Sequence, residues 1–241
     1  MRTSVSTRVV GSVFPAARTR GAAHTGGVEA LRDRDDAGAR LARLLAPFLD
    51  ASDDAVVLGL PRGGVPVAAV VARRLGLPLD VIVVRKLGAP GNPEYGFGAI
   101  GEGGVRVLDA ASMEALRISA DDLAAVEGLE RAELARRVRA YRGGRDAVVL
   151  AGRTAVVVDD GIATGGTARA AARVARALGA RRVIVAAGVA SPEALAGLMR
   201  DGVADHALAA LIPDALHSVG EFYADFAQTP DEAVVELLRE Y

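Results

Sequence analysis

The sequence predicts an α/β fold with a mostly parallel, doubly wound sheet. Short apolar runs alternate with segments of helical periodicity, which is typical of βαβ units with helices on both faces of a sheet. The 241 residues are 51% hydrophobic, enough for one large domain or for a domain with a small appendage. The chain has no Cys, which excludes disulfides and thiolate catalysis, and its net charge of −1 gives no overall preference for nucleic acid or anionic membranes.

The first elements follow from the spacing of apolar residues. Alanines and leucines recur at helical spacing within 32–49, and the apolar run 55–61 ends at Gly and Pro like a buried strand. A helix is predicted over 64–76, where Gly76 stops it, and a second buried strand over 78–86.

The middle of the chain contains a long glycine-rich segment. Residues 87–104 carry Pro90, Pro93 and several glycines, so we expect no regular structure there. A segment of that kind is usually functional or disordered. A short strand is predicted over 105–109, followed by a helix over 119–141 that Ser119 caps.

Strands and helices alternate again to the carboxyl end. The predicted strands are 153–161, 181–189 and 205–211, and the predicted helices are 167–179, 192–200 and 230–240.

Residues 1–28 differ from the rest in composition. They hold four Arg and no acidic residue, with little periodicity. We expect a disordered tail or a wrongly assigned start, with a weaker similarity to a transit peptide. The folded domain is then 29–241, and no apolar run of about 18 residues predicts a membrane span.

The stretch VVVDDGIATGGT, residues 156–167, combines two features that are rarely adjacent. Its glycines allow close backbone approach, Thr164 and Thr167 offer hydroxyls, and the following helix offers free N–H groups, which together make a phosphate cradle. Asp159 and Asp160 repel each other at the end of the strand, so Mg²⁺ or sugar hydroxyls would have to offset that cost. The implied ligand carries a phosphate beside vicinal hydroxyls, as ribose 5-phosphate does.

This stretch resembles the signature of the type I phosphoribosyltransferases. The resemblance implies that Asp159 and Asp160 hold the ribose hydroxyls of phosphoribosyl pyrophosphate (PRPP). It also implies that the 5-phosphate lies against Ala163, Thr164, Gly165, Gly166 and Thr167. The chain from about 30 to 240 resembles a bacterial group within this family, and the fold it implies has a small hood over the strand ends.

Two further stretches resemble parts of the same family. LPRGGVPVA, residues 60–68, resembles its pyrophosphate loop, which implies that Arg62 contacts pyrophosphate while Gly63 and Gly64 let the backbone approach. Residues 85–104 resemble its mobile loop over the active site, here with Arg85, Lys86, Glu94 and Tyr95.

Lys86 is also unusual in the composition of the chain. It is the single Lys among 29 basic residues, so this position retains an ammonium where the chain elsewhere uses Arg. We expect Lys86 and Arg62 to neutralise charge on departing pyrophosphate, and we assign both as catalytic with Asp159 and Asp160.

The resemblance implies a cytoplasmic, dimeric transferase of nucleotide metabolism. A nitrogen acceptor, such as a nucleobase or similar heterocycle, displaces pyrophosphate from PRPP. Mg²⁺ is the expected cofactor, bound through PRPP with help from Asp159 and Asp160 and with no direct protein site of its own. The hood is expected within about 205–241, where His217, Phe222 and Tyr223 are candidate acceptor contacts. Alternatively, Phe222 and Phe226 lie one helical turn apart and anchor the last helix to the core.

Two other classes of function are alternatives to this transferase. A non-catalytic regulator on the same fold would bind PRPP or nucleotides, and the basic stretch 136–145 weakly favours nucleic-acid contact, although the net charge does not. A P-loop hydrolase is disfavoured because the chain has no GxxxxGK[ST] motif.

Overall fold

The computed structural model describes residues 30–49 and 54–241, which contain eight strands. They are β1 (Ala55–Gly59), β2 (Leu79–Val81), β3 (Val84–Ala89), β4 (Asn92–Gly101), β5 (Arg106–Leu108), β6 (Thr154–Ile162), β7 (Arg182–Ala190) and β8 (His206–Leu211). Five of them form a parallel sheet in the order β2-β1-β6-β7-β8. The predicted α/β class with a mostly parallel sheet is confirmed.

The described helices lie on both faces of this sheet. They are α1 (Arg34–Leu45), α2 (Gly64–Leu75), α3 (Ala110–Ala115), α4 (Ala120–Arg142), α5 (Gly166–Ala177), α6 (Pro192–Arg200) and α7 (Asp231–Arg239). Successive strand residues point to opposite faces, so Val57 and Val156 pack in a core with α1 and α2. Val56 and Val157 pack in a second core with α5 and α6.

The glycine-rich segment is where the structure departs most from expectation. The prediction of a long segment without regular structure is wrong, because β3, β4 and β5 form a second, antiparallel sheet. The predicted strand 78–86 is likewise divided between β2 and the start of β3. Several of the glycines serve close packing: a Cβ on Gly101 would lie 2.5 Å from Cγ1 of Val174 in α5. The segment thus reads as irregular by composition, whereas it is a hairpin packed on a helix.

Helix ends follow the signals in the sequence. Ser119 caps α4 in a capping box with Asp122, and Gly143 ends it with φ +53°. Asp33 caps α1 by accepting a hydrogen bond from the N–H of Asp36, so Arg34 is the first residue of that helix.

A buried ion-pair network ties the two sheets to α4. Arg142, 6% exposed, donates through Nη1 to both carboxylate oxygens of Asp80 (2.6 and 2.7 Å) and through Nη2 and Nε to Glu102 (2.6 and 2.8 Å). Nη2 also donates to the Val81 carbonyl at 2.9 Å, and the Val148 N–H donates to Asp80. Asp80 lies in β2, while Glu102 directly follows β4, so this one side chain joins the end of α4 to both sheets.

Parts of the predicted domain organisation lie at or beyond the described residues. The predicted tail 1–28 lies outside them. Of the predicted hood segment 205–241, β8 is the edge strand of the parallel sheet, while 219–222 form a 3₁₀ turn and α7 packs on α2 and α4. Among the described helices, none combines the length and the apolar character needed to cross a bilayer.

We expect Arg142→Gln to lower the free energy of unfolding by about 3–5 kcal/mol, because it leaves two buried carboxylates without their cation. Urea unfolding measures the change. Arg139→Gln, an exposed position one turn earlier on α4, is the matched control and should stay within about 0.5 kcal/mol of the wild type. Equal losses in the two variants would contradict a special role for the network.

Candidate functional site

The site lies at the carboxyl ends of β1 and β6, where ligands bind in open parallel sheets. Asp159 and Asp160 lie near the end of β6, and the N–H of Asp160 donates to Oδ1 of Asp159 at 2.9 Å. Burial, and secondly the nearby Asp160 carboxylate, raise the pKa of Asp159 well above its usual range. The pair is therefore costly to keep ionised unless a cation stabilises it.

Arg34 pairs with Asp160, and nothing in the sequence singled it out. Its Nε and Nη2 donate to Oδ2 of Asp160 at 3.0 and 2.8 Å, across 126 residues of chain. Both side chains are largely buried, at 14% and 16% exposure, where a charge-assisted pair of hydrogen bonds is strong. The available signal for Arg34 was its place at the start of α1. The sequence of α1, however, has the pattern of an ordinary amphipathic helix.

The segment 223–229 holds Arg34 in place from the other side. Nη1 of Arg34 donates to the Ala227 carbonyl at 2.7 Å, and the guanidinium lies over the Phe226 ring, 4.2 Å from its centroid. The buried Tyr223 donates from its hydroxyl to the Asp160 carbonyl at 2.7 Å, and burial raises the pKa of that hydroxyl. Asp160 is thus fixed at both its side chain and its backbone.

The loop after β1 approaches the carboxylates more closely than a side chain would allow. A Cβ on Gly63 would lie 1.8 Å from Oδ2 of Asp160, and one on Gly64 would lie 2.8 Å from Cα of Asp159. These two glycines are needed for the close approach. Arg62, on the same loop, is 39% exposed, and its Nη1 lies 4.0 Å from Oδ1 of Asp231 at the start of α7.

The loop after β6 leads into the amino terminus of the 12-residue helix α5. Gly165 adopts φ +79°, and Ala163, Thr164 and Thr167 are exposed around it. The Ser191 hydroxyl donates to the Ala163 carbonyl at 2.8 Å and so braces the loop from the end of β7. Exposed hydroxyls beside free helix N–H groups can bind a phosphate.

Lys86 reaches this loop from the antiparallel sheet. Its side chain runs across Gly96, and its Nζ lies 3.3 Å from the point that a Cβ of Gly166 would occupy. Together with Pro61 and Thr167 it lines a cavity of about 470 Å³ between the hairpin, α4 and the loop after β1. Lys86, the loop after β1 and the cradle are therefore neighbours.

Other predicted residues lie elsewhere. Arg85 forms an ion pair with Glu130 of α4 at 2.5 Å, and Tyr95 is 62% exposed on β4. Glu94 lies in β4, but its side chain is outside the described part of the structure. His217 is exposed on the loop before the 3₁₀ turn.

The aromatic residues near the carboxyl end need one correction. Phe222 ends the 3₁₀ turn and Tyr223 begins an extended segment, so Phe222 and Phe226 do not share a helical face as the spacing suggested. Tyr223 supports the Asp160 backbone instead of facing open space.

Comparison with known proteins identifies the family. Residues 27–196 match the model of the phosphoribosyl transferase domain. The chain belongs to the phosphoribosyl transferase family. Two curated relatives from Mycobacterium tuberculosis strains CDC 1551 and H37Rv, both provisionally named phosphoribosyl transferases, are 49% identical over 206 residues, which is 86% of this chain and 46% of each relative. The chain thus spans about half the length of these two relatives.

A solved structure supports the fold of this phosphoribosyl transferase chain. The crystal structure of TT1426 from Thermus thermophilus is 46% identical and superposes with a TM-score of 0.80, covering 88% of this chain and 98% of that one. The resemblance stated from the motifs is confirmed at the level of the family.

We expect Gly63→Ala to lower the free energy of unfolding by about 1–3 kcal/mol, because its methyl group would overlap the Asp160 carboxylate. Gly128→Ala is the matched control: it lies inside α4 with nothing described within 4 Å of the new Cβ, so it should raise stability by about 0.5–1 kcal/mol. Urea unfolding of both variants measures the difference, and a stabilised Gly63→Ala would show that the loop is not packed on Asp160.

Proposed function

We propose that this domain transfers the ribose 5-phosphate of PRPP to a nitrogen acceptor and releases pyrophosphate. The observation that carries the proposal is the convergence of four separate stretches at one sheet edge. The loop 60–64, Lys86, the carboxylates of β6 and the cradle 163–167 are neighbours around that edge. Each stretch supplies groups suited to a different part of PRPP.

The assignment of groups follows their chemistry. The N–H groups and hydroxyls of 163–167 suit the 5-phosphate, and the carboxylates of Asp159 and Asp160 suit the ribose hydroxyls. Arg62 and the backbone at Gly63 and Gly64 suit pyrophosphate, with Lys86 between this loop and the cradle.

The reaction forms a bond from the acceptor nitrogen to the ribose anomeric carbon and breaks the bond from that carbon to the pyrophosphate oxygen. The electron pair of the broken bond leaves with pyrophosphate, the configuration inverts, and a proton carried by the attacking nitrogen is lost to water. Because negative charge grows on the leaving group, Lys86 and Arg62 stabilise the transition state. Asp159 and Asp160 bind the ribose and stabilise positive charge on it, without a role as general base.

Mg²⁺ fits this site as an ion carried by the substrate. Oδ2 of Asp160 already accepts two hydrogen bonds from Arg34, and Oδ1 of Asp159 accepts one from the chain. The pair therefore offers Mg²⁺ few ligands of its own, and oxygens of PRPP would supply most of the others. When bound, the ion neutralises pyrophosphate charge.

The contacts made by the basic stretch 136–145 favour an enzyme over a regulator that binds nucleic acid. Arg136 and Arg137 form ion pairs with Glu133, Arg142 is buried, and Arg145 donates to the Leu238 carbonyl. Four of the five arginines in this stretch are thus engaged within the protein, which supports a small-molecule substrate. The dimer and the cytoplasmic location rest on the family resemblance alone.

The decisive experiment measures pyrophosphate release from PRPP and Mg²⁺ with purines, pyrimidines, orotate, nicotinate and ammonia, beside calorimetric PRPP binding. We expect tight PRPP binding and release with one acceptor class. The variant with both Asp159→Asn and Asp160→Asn is the blank and should lose PRPP binding while staying folded. PRPP affinity that is unchanged in this variant would overturn the site assignment, and PRPP binding without release would favour the regulator.

Lys86→Arg should keep PRPP affinity within about threefold and lower kcat by more than about tenfold, because a planar guanidinium places its charge differently from the compact ammonium that lies beside Gly166. Arg106→Lys, on β5 of the same sheet and paired with Glu127, is the control and should keep full turnover. Equal kcat in Lys86→Arg and the wild type would show that the lone lysine has no catalytic role.

A further inference from the structure

The chain before α1 runs beside the carboxyl-terminal segment. The N–H of the buried Leu31 donates to the Phe222 carbonyl at 2.9 Å, and the Leu31 carbonyl accepts from the N–H of Ala224 at 2.8 Å. One residue further along, the N–H of Asp225 donates to the Arg32 carbonyl at 2.8 Å. Three backbone hydrogen bonds thus fix the approach to α1 against a segment from the other end of the domain.

The start of α1 is also held in place. Oδ1 of Asp33 accepts a hydrogen bond from the N–H of Asp36 at 2.7 Å, and the Asp33 carbonyl accepts one from the N–H of Ala37 at 3.1 Å. Ala37 is buried in the core on the same helix. Arg34, the first residue of α1, therefore extends from a backbone that is fixed on both sides.

The guanidinium of Arg34 has little freedom of its own. All three of its nitrogens donate within the protein: Nε and Nη2 to Oδ2 of Asp160 at 3.0 and 2.8 Å, and Nη1 to the Ala227 carbonyl at 2.7 Å. Its Cζ lies over the Phe226 ring, 4.2 Å from the centroid. A planar fork that is held at each nitrogen presents its donors in one direction.

This arrangement restricts the carboxylate of Asp160. Two donors converge on one of its oxygens, so a rotation about the Cβ–Cγ bond would weaken both hydrogen bonds. The backbone is held separately, because the Asp160 carbonyl accepts from the Tyr223 hydroxyl at 2.7 Å. A Cβ on Gly188 of β7 would lie 1.8 Å from that hydroxyl oxygen, so the lack of a side chain there makes room for Tyr223. The orientation of the carboxylate is thus set from outside the loops that follow β1 and β6.

Arg34 is less suited than Arg62 to bind a ligand directly. The side chain of Arg34 is 14% exposed, and each of its nitrogens already donates to a protein oxygen. Arg62 is 39% exposed, and its contact with Asp231 is long, at 4.0 Å. The guanidinium of Arg62 is open to an anion, whereas that of Arg34 holds a carboxylate of the protein.

We propose that Arg34 is a positioning residue for ribose binding: it holds the Asp160 carboxylate in the orientation in which that carboxylate accepts hydrogen bonds from the ribose hydroxyls of PRPP. The inference rests on the proposed function and extends it to a residue outside the motifs. Because the carboxylate is oriented before the substrate arrives, binding does not have to order it.

Arg34→Lys tests this role, because it keeps the charge but a single nitrogen can form only one hydrogen bond to Oδ2. Calorimetry measures the binding of PRPP and of pyrophosphate, each with Mg²⁺, to the full chain. We expect PRPP affinity to fall at least about tenfold and pyrophosphate affinity to stay within about threefold, because pyrophosphate carries no ribose. Arg40→Lys, on the same helix and paired with Asp36, is the matched control and should change neither affinity.

A double-mutant cycle tests whether Arg34 acts through Asp160. Asp160→Asn alone should weaken PRPP binding. Adding Arg34→Lys to it should weaken PRPP binding by less than about threefold further, since the carboxylate that Arg34 positions is gone. A further loss of about tenfold would show that Arg34 acts on PRPP directly, and it would overturn the positioning role.

Phe226→Leu provides a second variant, which leaves every N–H of Arg34 in place and removes the ring beside the guanidinium. We expect PRPP binding to weaken by about threefold or more, with pyrophosphate binding unchanged. This variant decides the question if thermal unfolding shows that Arg34→Lys is not folded.

The outcomes separate this inference from the proposed function. Unchanged PRPP affinity in Arg34→Lys (or in Phe226→Leu, where Arg34→Lys is unfolded) overturns the positioning role and leaves the transfer reaction standing. An equal loss of affinity for PRPP and pyrophosphate does the same. Absence of PRPP binding by the wild-type protein overturns the proposed function, and the positioning role falls with it.

Discussion

The contact between Arg34 and Asp160 is the constraint on which the rest of the site depends. Two adjacent carboxylates at the end of a buried strand repel each other, and burial adds to the cost of their charge, as the raised pKa of Asp159 shows. One guanidinium that donates twice to Asp160 offsets part of that cost inside the protein. The pKa of Asp159 stays raised with Arg34 in place, so part of the cost remains, as the residues alone suggested.

This contact links distant parts of the chain. Arg34 begins α1, Asp160 lies near the end of β6, and Phe226 and Ala227 belong to the segment that approaches α7. Asp231, the first residue of α7, in turn lies near Arg62 of the loop after β1. The carboxyl-terminal segment thus touches both arginines of the site. A change there can therefore alter the geometry of the site from outside the loops that follow β1 and β6.

The loop 60–64 divides the site into two cavities with different chemistry. On one side, the antiparallel sheet brings the Lys86 ammonium beside the loop 163–167. On the other side, Arg34, Arg62 and the carboxyl-terminal residue Phe226 line a second cavity of about 450 Å³. Gly63 allows both arrangements, because any side chain at this position would separate the loop from Asp160.

The sequence by itself determined the parallel sheet, the helices on its two faces and the family, because apolar periodicity and the run from Val156 to Thr167 are local patterns. It also indicated Lys86 by its rarity. Only the tertiary structure decided that 84–101 is a hairpin, since its glycines serve close packing within the antiparallel sheet and, at Gly101, on α5, whereas in isolation they suggest flexibility. The contact between Arg34 and Asp160 was likewise not predictable from the sequence. It joins residues 126 positions apart, and nothing in the local sequence distinguishes Arg34 from the other arginines among the 28 of the chain.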